Sequence, residues 1–147
     1  MSSQAKQQRV TVAAFILRQD GMFLVGERSP DEEFLPGRIE PLGGGSNWGE
    51  APVDALIREV REESGLEVAV DVPLSIITYT EQGVHCVMIV FLCTPIGDGT
   101  PIPSSEHSQL FWTSISQLRQ YWTDGFMDKV LADSIAHLAR LGITVKE

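Results

Sequence analysis

The sequence predicts a single α/β domain over residues 1–147, in which helices pack on a mixed β-sheet. Two observations carry this prediction. The patterns along the chain run strands, one helix, further strands and then helices, which is the order of a layered α/β fold. The chain has 147 residues, 43% hydrophobic and 21% charged, so it is long enough and apolar enough to close one ordinary core.

The first elements are two strands and a loop. Apolar and β-branched residues fill Arg9–Arg18 and Met22–Gly26 and predict strands. Asp20-Gly21 between them predicts a hairpin turn. Prolines and glycine in Ser29–Glu40 predict a loop. The run of three glycines at 43–45 then permits backbone geometry that other residues resist.

A helix follows, because Pro52 suits a first helical turn and Gly65 suits the position just past a helix end. Four apolar residues between them lie at helical spacing and predict one buried stripe. These residues are Val53, Leu56, Ile57 and Val60.

The second half of the chain reads as strands and then two helices. The strands are predicted at Leu66–Val72, Leu74–Thr80, His85–Thr94 and Gln109–Thr113, with a proline- and glycine-containing loop at Pro95–Ser105. A capping-box spacing, Ser114 to Gln117, begins a short helix that ends near Tyr121. Thr123 is predicted to cap a last helix, Asp124–Leu141, which Gly142 ends.

Charge and hydropathy exclude several classes of partner. The net charge of −9, from 20 acidic and 11 basic residues, disfavours long nucleic acid. The longest apolar run, Val87–Cys93, is too short to span a bilayer, so no membrane association is expected. No secretory signal is visible, and we therefore expect a cytoplasmic protein. A homodimer is left open.

The cysteines and histidines form no metal pattern in the sequence. Cys86 and Cys93 lie seven residues apart on one strand and face opposite sides, so they are expected to be buried, reduced thiols. The three histidines are scattered and are each expected at the surface or half-buried.

The first helix carries a cluster of acids. Glu59, Glu62 and Glu63 lie at positions i, i+3 and i+4, which places them on one face. Each like-charged pair at this spacing costs roughly 0.2–0.5 kcal/mol on an exposed helix. Arg58 and Arg61 cannot neutralise the whole cluster from their own positions, whereas a bound dication can. Oxygen ligands favour Mg²⁺ or Mn²⁺ over zinc.

A solvated acidic face is the alternative, and for three glutamates alone it would be preferred. The surrounding sequence changes this balance. From Gly44 to Leu66 the chain reads GGSNWGEAPVDALIREVREESGL. It contains glycine, five residues, glutamate, seven residues, then Arg-Glu-aliphatic-x-Glu-Glu-x-Gly-aliphatic. A chance match in a chain of this length is on the order of one in ten million.

This pattern resembles the complete signature of the Nudix hydrolase family. The resemblance implies a loop–helix–loop motif inside an α/β/α sandwich with a mixed sheet. It also implies hydrolysis of a diphosphate linkage, with Mg²⁺ as the cofactor and Mn²⁺ as a substitute. The family usually has Pro-Gly-Gly before the helix, whereas this chain has Leu42-Gly43-Gly44.

The resemblance also implies a role for each residue of the motif. Glu62 and Glu63 would be the main metal ligands, and Glu59 a further ligand or the base that activates water. Arg58 would orient Glu59 through an ion pair. The remaining implied roles are a coordinating carbonyl at Gly43, a loop buttress at Glu50 and structural glycines at Gly44 and Gly65.

Two residues outside the motif are further candidates. Many members of the family have an acid several residues before a late tryptophan, and Glu106, six residues before Trp112, resembles it as a catalytic and metal-binding acid. Glu81 is its competitor. Arg28 is a candidate for binding a substrate phosphate, with a solvated arginine at the end of a strand as the alternative.

The substrate is expected to be a small nucleotide. A nucleoside di- or triphosphate or related polyphosphate is preferred, with ADP-ribose or a nucleotide sugar second. Trp48, Phe34 and Tyr79 are aromatic candidates for stacking on a base. Two other classes are kept as alternatives: a non-catalytic domain that senses nucleotides, and an isomerase of prenyl diphosphates.

Overall fold

The computed structural model describes residues 5–147. Within this range the chain forms two sheets and three helices. The strands are β1 (Gln8–Ile16), β2 (Phe23–Arg28), β3 (Ile39–Glu40), β4 (Leu42–Gly45), β5 (Val68–Glu81), β6 (Val84–Pro95) and β7 (His107–Thr113). The helices are α1 (Pro52–Ser64), α2 (Ile115–Tyr121) and α3 (Met127–Arg140). None of these helices is long and apolar enough to cross a membrane.

The larger sheet is mixed, as predicted. Its order is β4-β1-β6-β5, with β1 parallel to β6 and the other neighbours antiparallel. A second, antiparallel sheet has the order β3-β2-β7. The domain therefore divides its strands between two sheets.

The predicted turn between β1 and β2 is present, but the prediction that the two strands pair as a hairpin is wrong. Gly21 adopts a φ of 85° in the turn, and its N–H donates to the Arg18 carbonyl. The two strands meet only at the Leu17–Phe23 bridge and then enter different sheets. The reason is that β4 and β6 occupy both edges of β1, which leaves β2 no edge to pair with.

The core lies on both faces of the larger sheet, which explains why β1 is apolar at successive positions rather than alternate ones. Val12, Ala14 and Ile16 pack in the cluster that includes the buried residues of α1. Ala13 and Phe15 pack in the cluster that includes the buried residues of α2 and α3. The sheet is thus covered by helices on both sides, which is the predicted α/β/α arrangement.

Helix α1 has its predicted bounds, but its buried face is rotated from the predicted stripe. Gly65 ends the helix in the left-handed conformation, with a φ of 74°. Leu56 and Val60 are buried as expected, whereas Val53 is exposed. The buried face instead extends to Glu63, so the core packing carries one carboxylate into the interior.

Other helix and strand boundaries differ from the predicted ones, each for a local reason. The strands predicted at 66–72 and 74–80 are one strand, β5, whose pairing with β6 shifts register around Pro73, because proline has no N–H for the ladder. The capping box at Ser114 is confirmed. Helix α3 begins at Met127 rather than Asp124, and the Asp124 carboxylate, rather than Thr123, accepts the Met127 N–H. Cys86 and Cys93 are free and buried, as expected.

Candidate active site

The glycine-rich strand β4 allows α1 to approach the sheet closely. Gly43, Gly44 and Gly45 pair with Ala13, Val12 and Thr11 of β1. A Cβ atom on Gly44 would lie 2.7 Å from the carboxyl carbon of Glu59. Any side chain at this position would therefore displace the Glu59 carboxylate from the end of the strand.

Arg58 binds three of the motif's carboxylates. Its Nε and Nη2 donate to the two oxygens of Glu50, each at 2.9 Å, in a bidentate pair. Its Nη1 donates to Glu59 at 3.1 Å and to Glu62 at 3.3 Å. A further bond reaches the Gly45 carbonyl at 3.2 Å. The predicted ion pair with Glu59 is thus present, and Glu50 is joined both to α1 and to the loop before it.

The position of Arg58 lowers the pKa of one carboxyl group. Its hydrogen bonds to Glu50, with a smaller contribution from the Asn47 N–H, lower the pKa of Glu50 to about 2. For Glu59, burial raises the pKa, and the Arg58 guanidinium opposes that effect. Both results follow from the balance between desolvation and a nearby opposite charge.

Glu63 is in the opposite situation. Its residue surface is 3% exposed, and it makes no ion pair with any residue of the described range. Its Oε2 accepts a hydrogen bond from the Gly43 N–H at 3.1 Å. The pKa of Glu63 is raised to about 10. Burial is the largest cause, and the negative charges of Glu106 and Glu59 add to it. A buried carboxylate without a cation is costly, so this position favours a bound positive charge.

The late acid Glu106 lies beside Glu63. One ligand atom from each of Glu63, Glu106 and His107 falls within 4.8 Å of the others. The backbone holds Glu106 in place: its carbonyl accepts from the Ser29 N–H at 2.9 Å, and its N–H donates to Ser104 Oγ at 3.3 Å. The acid predicted from its spacing to Trp112 therefore meets the predicted metal helix.

The expectation for His107 is wrong. Its side chain is fully buried, and its Nε2 lies 3.0 Å from Glu40 Oε1. Sequence reasoning treated the histidines as scattered because Glu40, Glu63 and His107 belong to three separate elements. The signal available in the sequence was the adjacency of His107 to the candidate acid Glu106.

The other predicted acids lie elsewhere. The Glu62 side chain is 58% exposed, binds Arg58 and lies outside the Glu63–Glu106–His107 group. Glu81 ends β5 at the turn to β6 and lines the same cleft as Glu106. Both candidates for the late acid therefore face the cleft, but Glu106 alone joins Glu63.

The site opens into a cleft of about 710 Å³. Its lining includes three arginines, Arg9, Arg28 and Arg38. The Arg28 side chain is only 12% exposed and binds Glu32 and Glu40, so the alternative of a solvated arginine is wrong. Phe34 and Tyr79 also line the cleft.

The third aromatic candidate for stacking on a base is outside the cleft. The Trp48 side chain is fully exposed and does not contribute to the lining. Phe126 lines the cleft instead, and its ring packs edge-to-face on Tyr79 with centroids 5.3 Å apart.

The donor set of the site fits a hard divalent cation. The negative charge of Glu106 contributes to the raised pKa of both Glu59 and Glu63, so the three carboxyl groups lie close together, and Glu106 lines the cleft together with Gly43, Gly44 and Gly45. Oxygen donors of this kind suit Mg²⁺ and Mn²⁺. The arginines of the cleft suit a phosphate-bearing ligand.

Comparison with known proteins gives one family. The model of the NUDIX domain matches residues 7–134. A MutT-like protein of Streptomyces ambofaciens is 30% identical over 83% of this chain and 74% of that protein. The nucleoside triphosphatase NudI of Escherichia fergusonii is 27% identical over 76% of this chain and 86% of its own length.

Two further similarities extend this comparison. The human 8-oxo-dGDP phosphatase NUDT18 is 37% identical over 60% of this chain, although the match covers only 25% of that longer protein. The crystal structure of a MutT protein from Methanosarcina mazei superposes with a TM-score of 0.78, at 23% identity, over 91% of this chain and 98% of that one.

Proposed function

Because this chain belongs to the NUDIX hydrolase family, we propose that it splits a diphosphate linkage in a nucleoside di- or triphosphate or a related nucleotide, with Mg²⁺ as its cofactor. Mn²⁺ is the expected substitute. One observation carries the proposal: the buried carboxyl group of Glu63 pairs with no basic side chain of the described range and lies beside Glu106. Glu106 in turn lines a cleft that three arginines also line. A metal ion and a phosphorylated substrate complement these charges.

We assign the cofactor to the acids of α1 and the late acid. Glu59, Glu62, Glu63 and Glu106, with the Gly43 carbonyl, are the residues that would hold it. A cation bound there would neutralise phosphate oxygens. It would also lower the pKa of a water molecule, so that hydroxide is available near neutral pH. The exposure of Glu62 leaves its oxygens free to turn from Arg58 toward such an ion.

The side chains of the protein supply the remaining functions. A carboxylate of Glu59 or Glu106 takes the proton of the attacking water as general base. Arg58 holds Glu59 in place, because it is itself fixed by its bidentate pair with Glu50. Arg28 provides positive charge for a substrate phosphate at the wall of the cleft. The products are a monophosphate and the other phosphorylated half.

A nucleotide suits the cleft in both size and lining. Its volume of about 710 Å³ lies in the range of roughly 300–1,000 Å³ that is usual for small-molecule sites. Phe34, at the rim, and the Tyr79–Phe126 pair offer aromatic surface for a base. The relatives named as a nucleoside triphosphatase and an 8-oxo-dGDP phosphatase support the same substrate class.

Phosphate release from a panel of nucleotides, with and without Mg²⁺, tests the proposal. The panel holds nucleoside triphosphates, 8-oxo-dGDP, dinucleoside polyphosphates, ADP-ribose and nucleotide sugars. Inorganic pyrophosphatase is added with the triphosphates, and phosphatase is added only with substrates that have no terminal phosphate, to reveal their monophosphate products. We expect the strongest turnover with a nucleoside triphosphate or related polyphosphate. Best turnover of ADP-ribose or a nucleotide sugar would select the second substrate class.

The same assay tests the cofactor. Exhaustive treatment with EDTA is expected to abolish hydrolysis, and added Mg²⁺ or Mn²⁺ to restore it. Hydrolysis that survives chelation would contradict the metal assignment. Nucleotide binding without turnover of any substrate would instead support a non-catalytic sensing domain.

A further inference from the structure

The imidazole of His107 is buried with one ring nitrogen unpartnered. Its Nε2 is hydrogen-bonded to Glu40, whereas its Nδ1 is buried and has no hydrogen-bond partner within residues 5–147. Leaving a buried polar atom unsatisfied destabilises the folded state, because the atom loses its hydrogen bonds to water without replacement. A ring kept in this position at that cost is a candidate for binding a ligand.

Three strands hold this ring in place. His107 begins β7 and reaches across β2 to Glu40 on β3. It can do so because position 26 of β2 is a glycine: a Cβ on Gly26 would lie 2.6 Å from the His107 Cδ2. The ring is therefore fixed by the tertiary structure rather than by its own loop.

The bond to Glu40 also decides which nitrogen carries the lone pair. An ionised carboxylate only accepts hydrogen bonds, so in the neutral imidazole Nε2 donates its proton to Glu40 and the lone pair is on Nδ1. Arg28 Nη1 lies 3.1 Å from the same Glu40 oxygen and holds that carboxylate in position. Histidines that bind metal ions almost always donate their other N–H to a carboxylate or carbonyl in this way.

The neighbours of the ring are the carboxylates of Glu63 and Glu106, which pair with no basic side chain of residues 5–147. A ring nitrogen of His107 lies within 4.8 Å of an oxygen of Glu63 and an oxygen of Glu106. Ligands at about 2.1 Å from a six-coordinate ion lie roughly 3–4.2 Å apart, so a small contraction closes the group around one ion. The group combines two oxygens with one nitrogen.

We propose that His107 supplies a nitrogen ligand to the divalent cation held by Glu63 and Glu106, in a site supported by Glu40 and Gly26. This inference rests on the metal-dependent hydrolysis proposed above, and it adds a consequence for metal choice. Imidazole nitrogen favours transition metals, whereas Mg²⁺ prefers oxygen. The site should therefore bind Mn²⁺ or Co²⁺ more tightly than Mg²⁺, and His107 should be the source of that preference.

Electron spin-echo modulation of the Mn²⁺-loaded full chain tests the ligand directly, because the modulation reports nitrogen bound to the ion. We expect ¹⁴N modulation that changes to the ¹⁵N pattern when the protein is labelled with ¹⁵N-histidine. His107→Gln should remove it, and His85→Ala, a change at an exposed histidine, should leave it intact. Absence of histidine-dependent modulation in the unmutated protein would overturn the proposal, even if His107→Gln fails to fold.

Calorimetric titration with each metal provides the second measurement. We expect His107→Gln to weaken Mn²⁺ binding roughly tenfold or more, with much less change for Mg²⁺. An equal loss for both ions would overturn the claimed selectivity. These results distinguish the ligand assignment from the proposed function. Mg²⁺-dependent hydrolysis without histidine modulation would contradict only the assignment of His107 as a ligand. Modulation without hydrolysis of any nucleotide contradicts the function and retains the ligand.

Discussion

Glu50 and Glu63 belong to the same 23-residue motif, yet their carboxyl groups have opposite electrostatic environments. Arg58 lowers the pKa of Glu50 to about 2, whereas burial and nearby carboxylates raise that of Glu63 to about 10. Glu50 has its counter-charge, Arg58, within the protein and needs no cofactor to balance it. The second, Glu63, is a buried carboxyl group whose ionised form is balanced by no basic side chain of residues 5–147.

The difference arises from how the donors of Arg58 are distributed. Its guanidinium bonds to Glu50, Glu59, Glu62 and the Gly45 carbonyl, and makes no bond to Glu63. Arg61 faces away from the cluster and pairs with Glu67. Arg58 therefore neutralises the part of the motif that shapes the loop, and the buried Glu63 is the part to which we assign the metal ion.

Substitution of Glu63 should give the largest effect. Glu63→Gln is expected to lower kcat roughly 10³-fold, because it removes a proposed main metal ligand. It should also raise the melting temperature of the metal-free protein, because a neutral amide avoids the cost of burying a group that is ionised in the unfolded chain. Glu62→Gln should also lose most activity, without a comparable gain in melting temperature, because Glu62 is exposed and paired. Glu67→Gln, outside the cleft, is the matched control. A lower melting temperature for metal-free Glu63→Gln would favour a structural role.

Substitution of the two candidates for the late acid should affect kcat differently, although by a smaller factor than substitution of Glu63. Glu106→Gln is expected to lower kcat roughly 10²-fold with little change in KM, because it removes the proposed general base or metal contact beside Glu63. Glu81→Gln should be nearly silent, although Glu81 lines the same cleft. Steady-state kinetics with the best substrate of the panel measures both. The reverse result would give the role to Glu81.

The pH dependence of stability should separate Glu50 from Glu63 in the metal-free protein. The raised pKa of Glu63 contributes stability that is fully present below its ordinary value of 4.5 and is lost as pH rises toward 10. The loss is at most about 1.4 kcal/mol per pH unit. Glu50 acts oppositely: its contribution is present above 4.5 and is lost as pH falls toward 2. Thermal melts across this window measure both.

The Glu63→Gln variant is the control for this pH dependence. Its melting temperature should decline less than that of the unmutated protein between pH 5 and pH 9, by about 2–4 °C per kcal/mol of difference. Mg²⁺ should restore much of the stability of the unmutated protein at high pH. Parallel curves for the two proteins would contradict the assignment of the effect to Glu63.

The smallest expected effect on kcat comes from substitution of the two arginines of α1, Arg58 and Arg61. Arg58→Lys is expected to lower kcat about tenfold, because lysine keeps the charge but cannot bind Glu50 bidentately while holding Glu59. Arg61→Lys should change neither kcat nor stability measurably, because its pair with Glu67 is exposed. Equal effects of the two substitutions would show that the Arg58 network does not position Glu59.

The sequence by itself determined those features that depend on short stretches of chain. The bounds of α1 and the capping box at Ser114 follow from spacing within one helix or turn. The pairing of Arg58 with Glu59 was implied by the resemblance of the motif to the family and is present in the structure. The family and fold class followed from the motif Gly44–Leu66 and from the order of elements. Local geometry fixes these relations, so no distant part of the chain is needed to infer them.

The tertiary structure alone decided which distant residues meet. It assigned β1 and β2 to different sheets, because both edges of β1 were already paired. It also rotated α1 so that packing buries Glu63, and brought Glu106 and His107 beside it from the start of β7. Spacing along the sequence does not encode such contacts. They arise because the core fixes how α1 and the two sheets pack, and that packing buries Glu63 away from every basic side chain of the part of the chain that the structure describes.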